Sequence, residues 1–164
     1  VLLSGQLINL GLTVAQHPSE NIERMMTRVL VYCLNAQEYL VFTKGLSSVA
    51  EPDIWARTLD DQISLWIDIG EPAVDRIKKA TRLAAKVKVY SFNSKSSVWW
   101  AQEQAKFSQL QVSVYRLQWE SIQSLVKLAQ RSMDFSVTIT ADLAYIATAA
   151  GECEVLLETL QLAE

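Results

Sequence analysis

Two aspartates, Asp53 and Asp68, occupy the positions in this chain best suited to chemistry. Asp53 follows Pro52 at the head of one extended segment, and Asp68 stands at the end of the next, 15 positions later. If those segments pair as antiparallel neighbours, the start of one lies beside the end of the other and both carboxylates converge on one edge of a sheet. Oxygen clusters of that kind suit a hard cation such as magnesium, with ligands at about 2.0 to 2.1 Å. A bound magnesium or manganese ion would acidify a water and neutralise charge on a phosphoryl group. The carbonyl of Ile69 is placed to add a ligand, Glu20 or Glu23 can approach from a preceding helix, and a nearby basic side chain would complete the site. A plainer reading stands beside this one. An aspartate after proline commonly opens a turn, and a carboxylate inside an apolar strand needs a partner whatever its function.

The elements that must position these residues are legible from periodicity. His17-Pro-Ser-Glu20 reads as the start of a helix, with Pro18 in its first turn. The apolar series Ile22, Met25, Met26, Val29, Leu30 and Cys33 predicts a core-facing stripe. Glu20, Glu23, Arg24, Thr27 and Arg28 then fall on solvated faces. Tyr39–Thr43 reads as a strand, 44–48 as a loop, Ile54–Arg57 as a second strand and Ile63–Ile69 as a third, stopped by Gly70-Glu71-Pro72. Val74, Ile77, Thr81 and Ala84 mark a helix to about Ala85, and Lys86–Phe92 alternates as a strand. Further on, the pattern predicts a helix over Val98–Leu110, a strand over Val112–Leu117 and a helix over Ser121–Gln130. A hairpin follows at Phe135–Thr140 and Leu143–Thr148, with a last strand at Glu154–Leu157. The order implies a mixed sheet with helices against it, an α/β (α+β) domain in which no linker or repeat divides residues 1–164.

Composition limits the function classes. At 164 residues, half of them hydrophobic and a fifth charged, the chain is one folded domain that removes roughly 70% of its unfolded surface from water. A net charge of −3 and a pI near 5.2 argue against a protein that coats nucleic acid. Any such contact is local, and one segment offers it: Arg76, Lys78, Lys79, Arg82, Lys86 and Lys88 put six cations in thirteen positions. The plainer reading is the wet face of a helix followed by an alternating strand. Cys33 and Cys153, 120 positions apart in apolar stretches, read as reduced core thiols. No run reaches the length of a membrane span and the opening stretch Val1–Val14 lacks the form of a signal peptide, so a cytoplasmic location is expected. The chain begins at Val1 rather than Met, and residues are expected to be missing there. His17, the single histidine, belongs to the helix start rather than to a catalytic base, and Trp99 and Trp100 are expected to pack against the sheet.

Pro52-Asp53 and Asp68-Ile69-Gly70, within an α-β-β-β-α-β order, resemble the PD-(D/E)XK motif of restriction-endonuclease-like nucleases. Longer strings narrow the likeness: His17-Pro-Ser-Glu20 with Glu23-Arg-Met-Met26, Phe42-Thr-Lys-Gly-Leu46, Glu51-Pro-Asp53, Leu65-Trp-Ile-Asp-Ile-Gly70, Arg76-Ile-Lys-Lys-Ala80, Val89-Tyr-Ser91 and Trp99-Trp100. Together they resemble the YaeQ family over about residues 12–133. The resemblance implies a restriction-endonuclease-like αβββαβ core with a C-terminal β-hairpin, and Asp53 and Asp68 as metal ligands. Two departures stand out: Asp68 replaces the family's usual Glu, and Gly70 occupies the place of the motif lysine. In that superfamily the basic group can move to the following helix, which nominates Lys79, then Arg76, with Arg76, Lys78, Lys79 and Arg82 available to nucleic acid. Two functions follow as expectations. One is a magnesium- or manganese-dependent nuclease; the other is a non-cleaving relative that binds nucleic acid or a protein of the transcription or repair machinery. Oligomeric state has no signature in the sequence.

Overall fold

The computed structural model describes residues 2–3, 6–7, 11–12, 14–16, 18–43 and 51–163. The sequence readings at His17, at the 44–48 loop and across much of the opening stretch lie outside the described residues. Two short strands, β1 (Leu2–Leu3) and β2 (Gln6–Leu7), precede helix α1 (Ile22–Leu34). The helix begins four residues after Pro18 because Asn21 caps it: its side-chain oxygen accepts the Arg24 N–H at 2.9 Å, satisfying a donor with no partner inside the helix. Pro18 and Ser19 form a turn ahead of that cap.

Strands β3 (Leu40–Phe42), β4 (Ile54–Arg57) and β5 (Ile63–Ile69) then run as an antiparallel meander. Helix α2 (Val74–Leu83) passes directly into β6 (Ala84–Ser91), and α3 (Ser96–Phe107) leads to β7 (Ser113–Leu117). These crossovers make β5, β6 and β7 parallel neighbours. Helix α4 (Trp119–Val126) is followed by the hairpin β8 (Phe135–Thr140) and β9 (Leu143–Thr148), then by β10 (Gly151–Gln161). The strands join in the order β2-β1-β8-β9-β10-β7-β6-β5-β4-β3, a mixed sheet. Strand β10 is far longer than its predicted four residues. Its first half pairs with β9 and its second half with β7, so this one strand joins the two halves of the sheet.

Apolar side chains gather on the two faces of this sheet. Met26, Leu30, Cys33, Ile54, Ile67 and Ile69 join α1 and α4 to one face, while Trp66, Ile77, Ala80, Val87 and Phe107 join α2 and α3 to the other. Each such side chain, fully buried, contributes roughly 1.5 to 3 kcal/mol. Trp99 and Trp100 pack in the second cluster around Phe107, with ring centroids 5.4 and 5.9 Å from it. Both cysteines are free thiols.

The predicted α1 stripe is corrected in part. Met26, Leu30 and Cys33 are buried, but Ile22 is exposed, and Met25 and Val29 line a cleft of about 440 Å³ against residues 130–135. The expected solvated face is also revised: Glu20, Thr27 and Arg28 are buried. The helix is covered on that side as well, and the charges there are paired rather than hydrated.

Candidate functional site

The β4/β5 register pairs Ile54 with Ile67, and the Asp53 N–H donates to the Ile67 carbonyl at 3.1 Å. Continued by one residue, that register sets Asp53 across from Asp68, which brings the two carboxylates to the same end of adjoining strands. Both are buried. Asp53 Oδ2 accepts the backbone N–H of Ile69 at 2.8 Å, tying the head of β4 to the end of β5.

Alternation along β5 turns Ile67 and Ile69 toward the α1 cluster and Trp66 toward the α2 cluster, so helices reach this strand end from both faces. From α1, Arg24 Nη2 donates to Asp53 Oδ1 at 2.7 Å and to the Ile69 carbonyl at 3.2 Å, while its Nη1 donates to Glu20 Oε2 at 3.0 Å. One turn further, Arg28 grips the same Glu20 with two nitrogens, at 2.8 and 2.7 Å, and donates to the Ala15 carbonyl. From α2, Arg76 donates to both oxygens of Asp68, at 2.8 and 3.2 Å, and to the Glu51 carbonyl at 2.7 Å. Its guanidinium lies 5.8 Å from the centre of the Trp66 ring. Three carboxylates thus meet three guanidinium groups, and the cluster is formally neutral.

The electrostatics of the aspartates follow from this packing. Burial pushes the Asp53 carboxyl above its ordinary range, the Arg24 charge and hydrogen bond and the Ile69 N–H pull it back, and the neighbouring Asp68 charge pushes it up again. The hydrogen bonds to Asp68 hold Arg76 more firmly protonated than usual.

The sequence-predicted residues fall into two groups. Glu20, Asp53 and the Ile69 carbonyl are joined through Arg24, and Asp68 with Arg76 forms a second pair that Asp53 feels through its charge. Glu23 is half-buried outside both, its carbonyl taking a bond from Thr27. Lys78, Lys79 and Arg82 are exposed on α2 and make no ion pair with the carboxylates among the described residues. Arg76, rather than Lys79, is the α2 cation on Asp68, because the turn of the helix that covers Trp66 also carries Arg76 over the end of β5. Of the remaining cations in the run, Lys88 turns inward and donates to the Asn35 side chain at 2.8 Å. Burial lowers its pKa.

Sequence reasoning missed Arg24, placing it on a solvated face of the helix. It also missed Glu71, whose carboxyl burial raises while Asn93, Ser91 and the Phe92 backbone pull it back. The order Gly-Glu-Pro reads only as a strand stop, and nothing in it signals a carboxylate turned inward.

The donors suit a hard cation, since two carboxylates and a carbonyl supply oxygen only. Asp53 would hold such an ion with Ile69, and Asp68 would join them. Among the described residues, no three Asp, Glu, His or Cys side chains converge as a ready metal group, and the candidate oxygens are engaged by guanidinium groups instead. No helix among the described residues is long and apolar enough to cross a membrane.

Comparison with known proteins places the chain among relatives. A family model described as YaeQ protein matches residues 5–157. The chain is 38% identical over 158 residues to the protein YaeQ of Escherichia coli (strain K12), covering 95% of this chain and 87% of that protein, and 37% identical to the one from Salmonella typhi with the same coverage. Its fold is similar to the crystal structure of the YaeQ protein from Xanthomonas axonopodis pv. citri. The TM-score is 0.92 at 32% identity, with 96% of this chain and 90% of that one covered. The YaeQ protein from Pseudomonas syringae gives a TM-score of 0.90 at 30% identity over 96% of this chain and 88% of that one.

Proposed function

This chain belongs to the YaeQ family, and we propose that it is a divalent-metal-dependent phosphodiesterase of restriction-endonuclease-like fold that acts on nucleic acid. The observation that carries the reading is the meeting of Asp53, Asp68 and the Ile69 carbonyl at one strand end, with guanidinium groups on both sides. Asp53, Asp68 and the Ile69 carbonyl would hold magnesium or manganese. Such an ion, when bound, supplies an acidified water and neutralises phosphoryl charge. Arg76, braced by the Glu51 carbonyl and stacked near Trp66, is held where it can steady a phosphoryl oxygen. Lys78, Lys79 and Arg82, exposed along α2, would track the phosphate backbone on either side.

The test is cleavage of labelled DNA and RNA oligonucleotides by the purified chain with magnesium or manganese. Asp68→Asn and Asp53→Asn are expected to abolish cleavage, and cleavage that survives both substitutions refutes this assignment of the site.

A second reading is favoured by the neutrality of the cluster: a non-cleaving member of the fold that binds nucleic acid or a protein of the transcription or repair machinery, with its carboxylates serving as structural anchors. Under it, Lys78→Glu with Lys79→Glu weakens partner binding while Asp53→Asn leaves it intact. The reverse pattern excludes it.

A further inference from the structure

We propose that Arg24 competes with a divalent cation for this site, and that its guanidinium must withdraw from Asp53 onto Glu20 before the cation can bind. The inference rests on the phosphodiesterase reading and assigns to that site a gate. A single nitrogen, Nη2, lies 2.7 Å from Asp53 Oδ1 and 3.2 Å from the Ile69 carbonyl oxygen, the two atoms that a hard cation would also need. Guanidinium and cation cannot hold that position together.

Arg24 has somewhere else to go. Its other terminal nitrogen already donates to Glu20, and Arg28 pins that carboxylate through two bonds, so Glu20 is an anchor that stays in place when Arg24 shifts. The backbone of Arg24 is fixed by its bond to the Asn21 cap, which confines the movement to the side chain. That side chain retains 18% exposure, whereas Glu20 has none and Arg28 keeps 8%. Of the two α1 arginines, Arg24 is the one with a path toward solvent.

Charge gives the gate a sense. With three carboxylates against three guanidinium groups, a dication added to the closed cluster leaves two uncompensated positive charges in a partly buried place. Withdrawal of Arg24 onto Glu20 keeps its charge within the cluster, so it is an anionic phosphodiester arriving with the cation that removes part of that excess. Cation and substrate are therefore expected to enter together.

Binding of manganese alone to the full chain, followed by electron paramagnetic resonance of the free ion, tests the proposal without relying on turnover. Arg24→Gln is expected to tighten manganese binding about 10- to 100-fold, the span of one or two lost charge-assisted hydrogen bonds. Adding Asp53→Asn should cancel the gain. Arg24→Lys, whose single ammonium cannot bridge all three acceptors, should fall between wild type and Arg24→Gln, and it serves as the informative variant if Arg24→Gln does not fold. Wild-type binding as tight as that of the folded Arg24 variants overturns the gate while leaving the phosphodiesterase reading in place. If the folded variants fail to bind manganese, the gate is overturned; if wild type also cleaves no oligonucleotide, the phosphodiesterase reading falls with it.

Discussion

Glu20 is the carboxylate on which two guanidinium groups depend, and its side chain is fully shielded from water. Removing one partner of a buried ion pair strands the other charge, which costs about 3 to 5 kcal/mol. Glu20→Ala should lower the free energy of unfolding in urea by that order, and a loss under 1 kcal/mol would show that the cluster hydrates easily. Asp53 gives a pH signature. Burial and the Asp68 charge raise its carboxyl above the ordinary value of 3.8, so the folded chain holds that proton more tightly than the unfolded chain. Its contribution is most favourable below 3.8 and is lost as pH rises through the raised folded value. The stability of wild type relative to Asp53→Asn should therefore decline from pH 4 toward neutrality, and a rising difference would contradict the sign. Burial pushes the Cys33 thiol up to about 11, and Cys153 is half-buried and raised less strongly. A disulfide reagent at pH 8 should label Cys153 slowly in the native protein and Cys33 only on unfolding.

Helix α1 is the element that carries both arginines to Glu20, and its register begins at Asn21. Replacing that cap with alanine should cost about 1 kcal/mol and loosen Arg24 with it. Thermal melts of Asn21→Ala check the first effect, and tighter manganese binding checks the second. How legible each element is depends on what defines it. β4, β5, β8 and β9 have the bounds read from alternation and from flanking proline, glycine and aspartate, because these signals lie within the strand itself. The α1 start differs from the sequence signal because Pro18 suits a first turn, whereas the bond that opens the helix belongs to Asn21. β10 reads short in the sequence because Glu152 and Glu158 flank its apolar stretch; what extends it is pairing with β7, a partner more than thirty residues away. The same logic separates the site residues. The convergence of Asp53 and Asp68 follows from strand order, which the sequence reveals. That Arg24 and Arg28 face inward depends on what covers α1, which no spacing along the helix encodes.

At the scale of the molecule, the two faces of the sheet carry separate apolar clusters, and β10 joins the two halves of the sheet. A strand shared in this way couples the hairpin end to the parallel end. The five tryptophans all lie between residues 55 and 119, outside the hairpin, so their fluorescence reports the parallel end and the elements packed on it, whereas far-ultraviolet circular dichroism reports the whole chain. The two urea transitions should coincide, and a circular dichroism change that precedes the fluorescence change would show that the hairpin end unfolds by itself.

Gly70 has φ +113°, a backbone conformation that side-chain-bearing residues rarely adopt, although no neighbouring atom lies within 4 Å of where a Cβ would stand. Its N–H donates to the Tyr90 carbonyl at 2.8 Å, so the conformation is held by the sheet. Gly70 stands where the motif this chain resembles carries lysine. Gly70→Lys should cost about 1 to 3 kcal/mol through backbone strain. The penalty at position 70 is set by backbone conformation rather than by crowding, so Gly70→Ala and Gly70→Lys should lose similar stability in thermal melts.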